Sequence, residues 1–236
     1  TWLGTHQKFD GAFTFIFEET EHGWVWVHAY QFDPDTATFI IECSDETYHC
    51  FGFDHMSQQD SIATCEEIFK DYLGGRSLMT NAGHVRGSAW IRFPRVLCER
   101  WSHENLVLMG DAAASAHFSI GSGTKLALES AIALADYLHT ETSMQAAFEK
   151  YEDARRLEVL RLQSAARNSL EWFEDIERYF NLDPVQFNYS LLTRSQRISH
   201  ENLRLRDPEW MQQAERWFQT QAGVTDGEPV RPPMFA

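Results

Sequence analysis

The stretch Asn105-Leu-Val-Leu-Met-Gly-Asp-Ala-Ala-Ala-Ser-Ala-His-Phe-Ser-Ile-Gly-Ser-Gly-Thr-Lys125 decides how the rest of the chain is read. Leu106 to Met109 is a short apolar run of the length of a buried strand. Gly110 and Asp111 end it. Small residues follow from Ala112 to Ala116, then a Gly-Ser-Gly turn at 121–123. A long apolar helix is expected from about Thr124 to Leu138. Glycines let backbone approach a ligand closely. The first amides of a helix have no partner within it, and its dipole is positive at that end. The pattern suits an anionic or electron-rich group.

Around this stretch the chain reads as a sheet layer followed by helices. Ala12 to Glu18 and Gly23 to Gln31 are rich in aromatic and β-branched residues and are split by Glu21-His22-Gly23. Thr36 to Glu42 follows a Pro-Asp turn. Trp2 to Thr5 reads as a strand fragment. Alternation puts Phe13, Phe15 and Phe17 on one face, and Trp24, Trp26 and His28 together on theirs. Such a face is either a thick core or the roof of an aromatic-substrate pocket. Ser57 to Leu73 reads as a helix stopped by Gly74-Gly75, with Ser57 and Asp60 forming a capping box. Ser88 to Phe93 and Val96 to Arg100 read as short strands around Pro94. Ser143 to about Phe180 is helical by period. Further helices start at Asp183-Pro184, running to about Leu192, and at Asp207-Pro208, ending near Gln221. The tail from Gly223 to Ala236 reads as a linker. The expected divisions are a sheet region at 1–104, a strand-loop-helix at 105–140, a helical region at 141–222 and the linker at 223–236.

The chain has 236 residues, 35 acidic against 20 basic, and a formal net charge of −15. That balance disfavours a nucleic-acid backbone or an anionic membrane surface as partner. No run approaches the length of a membrane span. Cys43, Cys50, Cys65 and Cys98 lack Cys-x-x-Cys spacing and read as reduced thiols of a cytoplasmic protein. No His or Cys spacing suggests a metal site, and no nucleophile elbow is present.

The segment 105–125 resembles the second flavin-binding motif of the group A flavoprotein monooxygenases, the FAD-dependent aromatic hydroxylases shaped like p-hydroxybenzoate hydroxylase. Their pattern runs Gly-Asp-Ala-Ala-His, a gap with proline, then Gly-x-Gly entering a helix. Ala114 replaces the usual histidine, and His117-Phe118 stand where proline is common. The resemblance implies an α+β (α/β) fold, the C-terminal part of a p-hydroxybenzoate hydroxylase-like domain. It implies that Asp111 holds the ribityl chain of FAD beside Gly110. The turn Gly121, Ser122, Gly123, Thr124 and Lys125 would face the flavin, its amides stabilising negative charge at the ring edge. His117 and Phe118 would flank the ring where substrate meets flavin, as the catalytic candidates. His28 is a candidate for the substrate side, and a core or surface imidazole is the competing reading.

A closer resemblance covers nearly the whole chain. Trp2-Leu-Gly-Thr5, His28 to Asp33, Phe39 to Ser44, His117 to Glu129 and Ser190 to Trp210 are similar to the monooxygenase half of bifunctional salicylyl-CoA 5-hydroxylases and anthraniloyl-CoA (2-aminobenzoyl-CoA) monooxygenase/reductases. It implies FAD, NAD(P)H as reductant, O2 and an aromatic acyl-CoA, with a homodimer and a fused old-yellow-enzyme-type domain downstream. Val230 to Phe235 resembles the junction into that domain. Violacein-pathway hydroxylases are similar from His28 through Gly121, so an indole-derived substrate is the alternative. Arg194, Arg197, Arg204 and Arg206 form a local basic cluster. Arginine suits CoA phosphates, and helix-surface ion pairing is the competing reading. No Gly-x-Gly-x-x-Gly unit for the ADP half of FAD occurs here. The dinucleotide-binding part is therefore expected upstream, in a longer polypeptide. The rival expectation is a non-catalytic fragment that does not retain FAD.

Overall fold

The computed structural model describes residues 1–9, 11, 13–80 and 90–223. It divides into two compact units, Thr1–Phe93 and Pro94–Ala236.

The first unit is an antiparallel sheet with helices on one face. Its strands are β1 (Trp2–Thr5), β2 (Thr14–Thr20), β3 (Gly23–Gln31), β4 (Ala37–Cys43) and β5 (Leu78–Met79). They lie in the order β2-β3-β4-β1-β5. The β2–β3 turn is tight because the Thr20 hydroxyl donates to Gly23 O at 2.6 Å and accepts from the His22 amide. The period of two then sorts the side chains. Val25, Val27 and Ala29 of β3, with Phe39 and Ile41 of β4, enter the core with Phe53, Cys65, Phe69 and Leu73. Those last residues come from α1 (Asp45–Phe51), α2 (Gln58–Ile68), α3 (Lys70–Leu73) and their connections: Cys65 from α2, Leu73 from α3, Phe53 just after α1 and Phe69 between α2 and α3. Fully burying each of these phenylalanines contributes about 1.5–3 kcal/mol. The register pairs Phe15 with His28 and Phe17 with Trp26. That register gathers the aromatic rows of β2 and β3 on the opposite face, as alternation predicts.

The second unit opens with a two-stranded ribbon, β6 (Ser102–His103) and β7 (Leu106–Val107). Helices follow: α4 (Gly123–Thr140), α5 (Met144–Glu174), α6 (Glu177–Phe180), α7 (Pro184–Thr193), α8 (His200–Arg206) and α9 (Pro208–Gln221). The 31-residue α5 is the spine of this unit. Its face packs Tyr151, Val159 and Leu162 against Trp101, Ala113, Ala114 and Leu126. The expected caps form: Ser57 accepts from Asp60 N, Asp183 from Val185 N and Asp207 from Trp210 N.

Several expectations are corrected. Leu106 to Met109 is not a buried strand. Only Leu106 and Val107 pair, and Leu106 is 69% exposed, because the ribbon has no third strand among the described residues. Trp90 to Phe93 forms no strand, and Val96 to Arg100 keeps one isolated bridge, Leu97 to Ala114. Pro94 lacks the amide a ladder needs. The helix expected from Ser57 to Leu73 breaks at Phe69, whose φ of −105° and ψ of 18° leave the helical region. The helix expected to reach Phe180 ends at Glu174. Two helices were not anticipated, α1 and α8. Ala12, Ser88, Ala89 and the tail beyond Gly223 lie outside the described residues.

Candidate functional site

Gly110 sits at φ +60°, a conformation that favours glycine. A Cβ there would lie 3.3 Å from the Ala127 Cβ, so Gly110 also lets its segment settle onto α4. Residues 110–112 form one turn of 3-10 helix. That turn carries Asp111, which is exposed and makes no hydrogen bond or ion pair to a described residue.

The chain returns through a second 3-10 turn at Phe118–Ile120. His117 caps it, its Nδ1 accepting from Ser119 N at 3.3 Å. Phe118 stacks on His117 at 4.5 Å between ring centroids. Gly121, at φ +61°, closes the turn by donating to Phe118 O at 2.7 Å.

Helix α4 begins immediately afterwards. Its first bond runs from Leu126 N to Ser122 O, so the amides of Gly123, Thr124 and Lys125 precede the helical ladder. Ser122 is the residue type that normally caps such an end. Here its hydroxyl turns back to Ile120 O, and it makes no cap bond. Lys125 pairs with Glu129 at 2.7 Å, and Glu129 also meets Arg155 at 3.0 Å. Lys125, and then Arg155, hold the Glu129 carboxyl below the ordinary glutamate range. The fold thus brings the Asp111 turn against the helix whose N-terminal amides are open, with His117 and Phe118 leading into it.

The remaining candidates are placed elsewhere. His28 belongs to the first unit and is 2% exposed. Its Nε2 lies 2.9 Å from a Glu42 carboxylate oxygen, and its ring is edge-on to Phe15 at 4.9 Å. Arg194 faces inward. Its Nε donates to Ser169 at 2.9 Å, and its terminal nitrogens donate to Leu191 O at 2.6 Å and Ser119 O at 3.0 Å. Arg197 is exposed. Arg204 is occupied by Glu201 and Glu215. Arg194 and Arg204 are therefore engaged by partners within the chain.

Sequence reasoning missed the residues that hold the site loop to α5. Tyr151 donates to Leu108 O at 3.2 Å, and burial pushes its phenol above the ordinary value. Gln163 donates to Val96 O and Ser115 O, both at 2.8 Å, and accepts from Arg95. The available signal was a glutamine in the middle of an apolar helical stripe. Among the described residues no group of three or more His, Cys, Asp or Glu is placed to hold a metal ion. No helix among them is long and apolar enough to cross a membrane.

The chain is 36% identical over 228 residues to salicyloyl-CoA 5-hydroxylase of a Streptomyces species, over 92% of this chain and 43% of that protein. It is 35% identical over 194 residues to protodeoxyviolaceinate monooxygenase of Chromobacterium violaceum, over 82% of this chain and 50% of that protein. Among solved structures, PqsL, a probable FAD-dependent monooxygenase from Pseudomonas aeruginosa, superposes with a TM-score of 0.51 at 17% identity, covering 76% of this chain and 50% of that one. No family model matches. The chain spans about half the length, or less, of these relatives.

Proposed function

We propose, for a chain that belongs with the flavoprotein aromatic monooxygenases, that it supplies the flavin-facing half of an aromatic-ring hydroxylase. The net reaction is Ar–H + O2 + NAD(P)H + H⁺ → Ar–OH + H2O + NAD(P)⁺. The observation that carries the proposal is an exposed Asp111 turn, settled by Gly110 onto the helix whose start lacks a side-chain cap. These residues fit FAD. Asp111 would accept from hydroxyls of the ribityl chain, and the amides of Gly123, Thr124 and Lys125 would stabilise negative charge at the ring edge. When bound, the flavin supplies the redox chemistry and activates O2.

The protein's own tasks are orientation and exclusion of water. His117 and Phe118, stacked on each other, would flank the ring where substrate meets flavin. The acceptor is an aromatic acyl-CoA such as salicylyl-CoA or 2-aminobenzoyl-CoA, supported by identity to the Streptomyces enzyme over nearly the whole chain. Exposed Arg197 is better placed than inward-facing Arg194 to meet a CoA phosphate. The second reading, an indole-derived acceptor, is favoured by the identity to the Chromobacterium enzyme. A homodimer and a fused old-yellow-enzyme-type domain belong to the same proposal and are read from the mass and sequence of the intact protein.

The test is a visible spectrum of the full-length protein after gel filtration, followed by NAD(P)H oxidation with each acceptor. Flavin bands and oxidation stimulated by an aromatic acyl-CoA are expected. A colourless protein overturns the reading in favour of a fragment without flavin. Stimulation by indoles alone transfers it to the second acceptor class.

A further inference from the structure

We infer that Arg194 is a positioning residue that ties the C-terminal helices to the turn in front of α4 and so sets where His117, Phe118 and the helix amides lie. Its consequence for catalysis rests on the flavoprotein reading; the clamp itself rests on geometry.

Side chains hold several backbone carbonyls of the site loop. Leu108 O is held by Tyr151, and Ser115 O by Gln163, both from α5. Ser119 O is held by Arg194, which lies at the end of α7 instead. The guanidinium spreads over three segments at once: Ser169 on α5, Leu191 on α7 and Ser119 in the turn. Its carbon also sits 5.0 Å from the centre of the Phe173 ring. A planar fork with divergent N–H groups makes these bonds together, and an ammonium on a flexible stem does not.

Ser119 lies two residues before Gly121. Its own amide is committed to His117 Nδ1, and Gly121 N to Phe118 O. The turn is closed internally, and Arg194 is its tie to α5 and α7 at this carbonyl. Meanwhile α4 has separate anchors: Leu126 lies in the core with Tyr151, and Ala127 lies against Gly110. Loosening Arg194 therefore releases the turn at Ser119 O, while Ile120 keeps its packing against the core and α4 stays in place. This assigns Arg194 a role different from phosphate binding, although it stands in a basic cluster.

The test uses Arg194→Lys and Ser169→Ala in the full-length protein. Ser169→Ala removes the acceptor of the Arg194 Nε and leaves the turn's own residues untouched. Hydrogen exchange of the segment 115–122 is expected to quicken by ~10-fold in Arg194→Lys and by less in Ser169→Ala, with the first half of α5 unchanged. The fraction of NAD(P)H consumption that yields hydroxylated product is expected to fall several-fold in Arg194→Lys, with flavin content close to that of the parent protein. A purely stabilising arginine would lower the melting temperature and leave that fraction alone. Unchanged exchange at 115–122 in both variants overturns the clamp. Altered exchange with an unchanged product fraction overturns the positioning role. If the parent protein is itself colourless, the flavoprotein reading falls, and exchange still decides the clamp.

Discussion

Gly110 and Gly121 share nearly the same left-handed backbone, at φ +60° and +61°, but their surroundings differ. At Gly121 an added Cβ meets nothing within 4 Å; at Gly110 it meets Ala127 at 3.3 Å. Gly121→Ala should therefore cost about 1–2 kcal/mol, from conformation alone. Gly110→Ala should cost more, and Ala127→Gly should recover only the excess. Denaturant midpoints of the three variants check this; equal losses at both glycines would contradict the contact. The cysteines separate as clearly. Burial pushes the Cys43 and Cys65 thiols up to about 12, whereas Cys50 is exposed. Because the thiolate is the reacting species, iodoacetamide at pH 8 should label Cys50 in the native protein. Cys43 and Cys65 should react only after unfolding, as mass spectrometry of peptides would show.

Between elements, the α8–α9 pair is held by charge as well as by packing. Glu215 of α9 meets Arg204 at 2.6 Å and His200 at 3.0 Å, and the Tyr189 hydroxyl lies 3.1 Å from the other His200 nitrogen. Arg204 first, and His200 next, hold the Glu215 carboxyl below the ordinary glutamate value. A carboxylate whose folded value is depressed stabilises the fold above its unfolded value. That stabilisation is lost as pH falls through the folded value. Protection of α8 and α9 amides should thus weaken only on acidification below the ordinary glutamate range. Glu215→Gln should remove that step. Because the pair is partly open to water, 1 M salt should shrink it. A step that survives in Glu215→Gln would assign it to other carboxylates.

At the scale of the whole chain, legibility followed locality. Strand β3 was read to its ends because Trp-Val alternation and a glycine turn are local signals, and the caps at Ser57, Asp183 and Asp207 are local too. Helices α1 and α8 were not read, since seven residues are too few to show a stripe. Trp90 to Phe93 looked strand-like, but strands need partners that sequence does not name. The site divides in the same way. Asp111 and the glycines are visible as a motif, whereas Gln163, Ser169 and the inward turn of Arg194 depend on contacts 25 to 75 residues away.

Each unit nonetheless has a core of its own, around Phe39 and Phe69 in one and Trp101 and Tyr151 in the other. Phe69 is fully buried and meets Phe39 at 5.6 Å, edge to face. Phe69→Ala should cost about 3–5 kcal/mol, from lost burial and the cavity left behind. If the two cores are separate cooperative units, exchange protection should fall across β2–β4 and α2 while α4 and α5 keep theirs. A uniform loss across the chain would instead mean that one cooperative unit spans both cores.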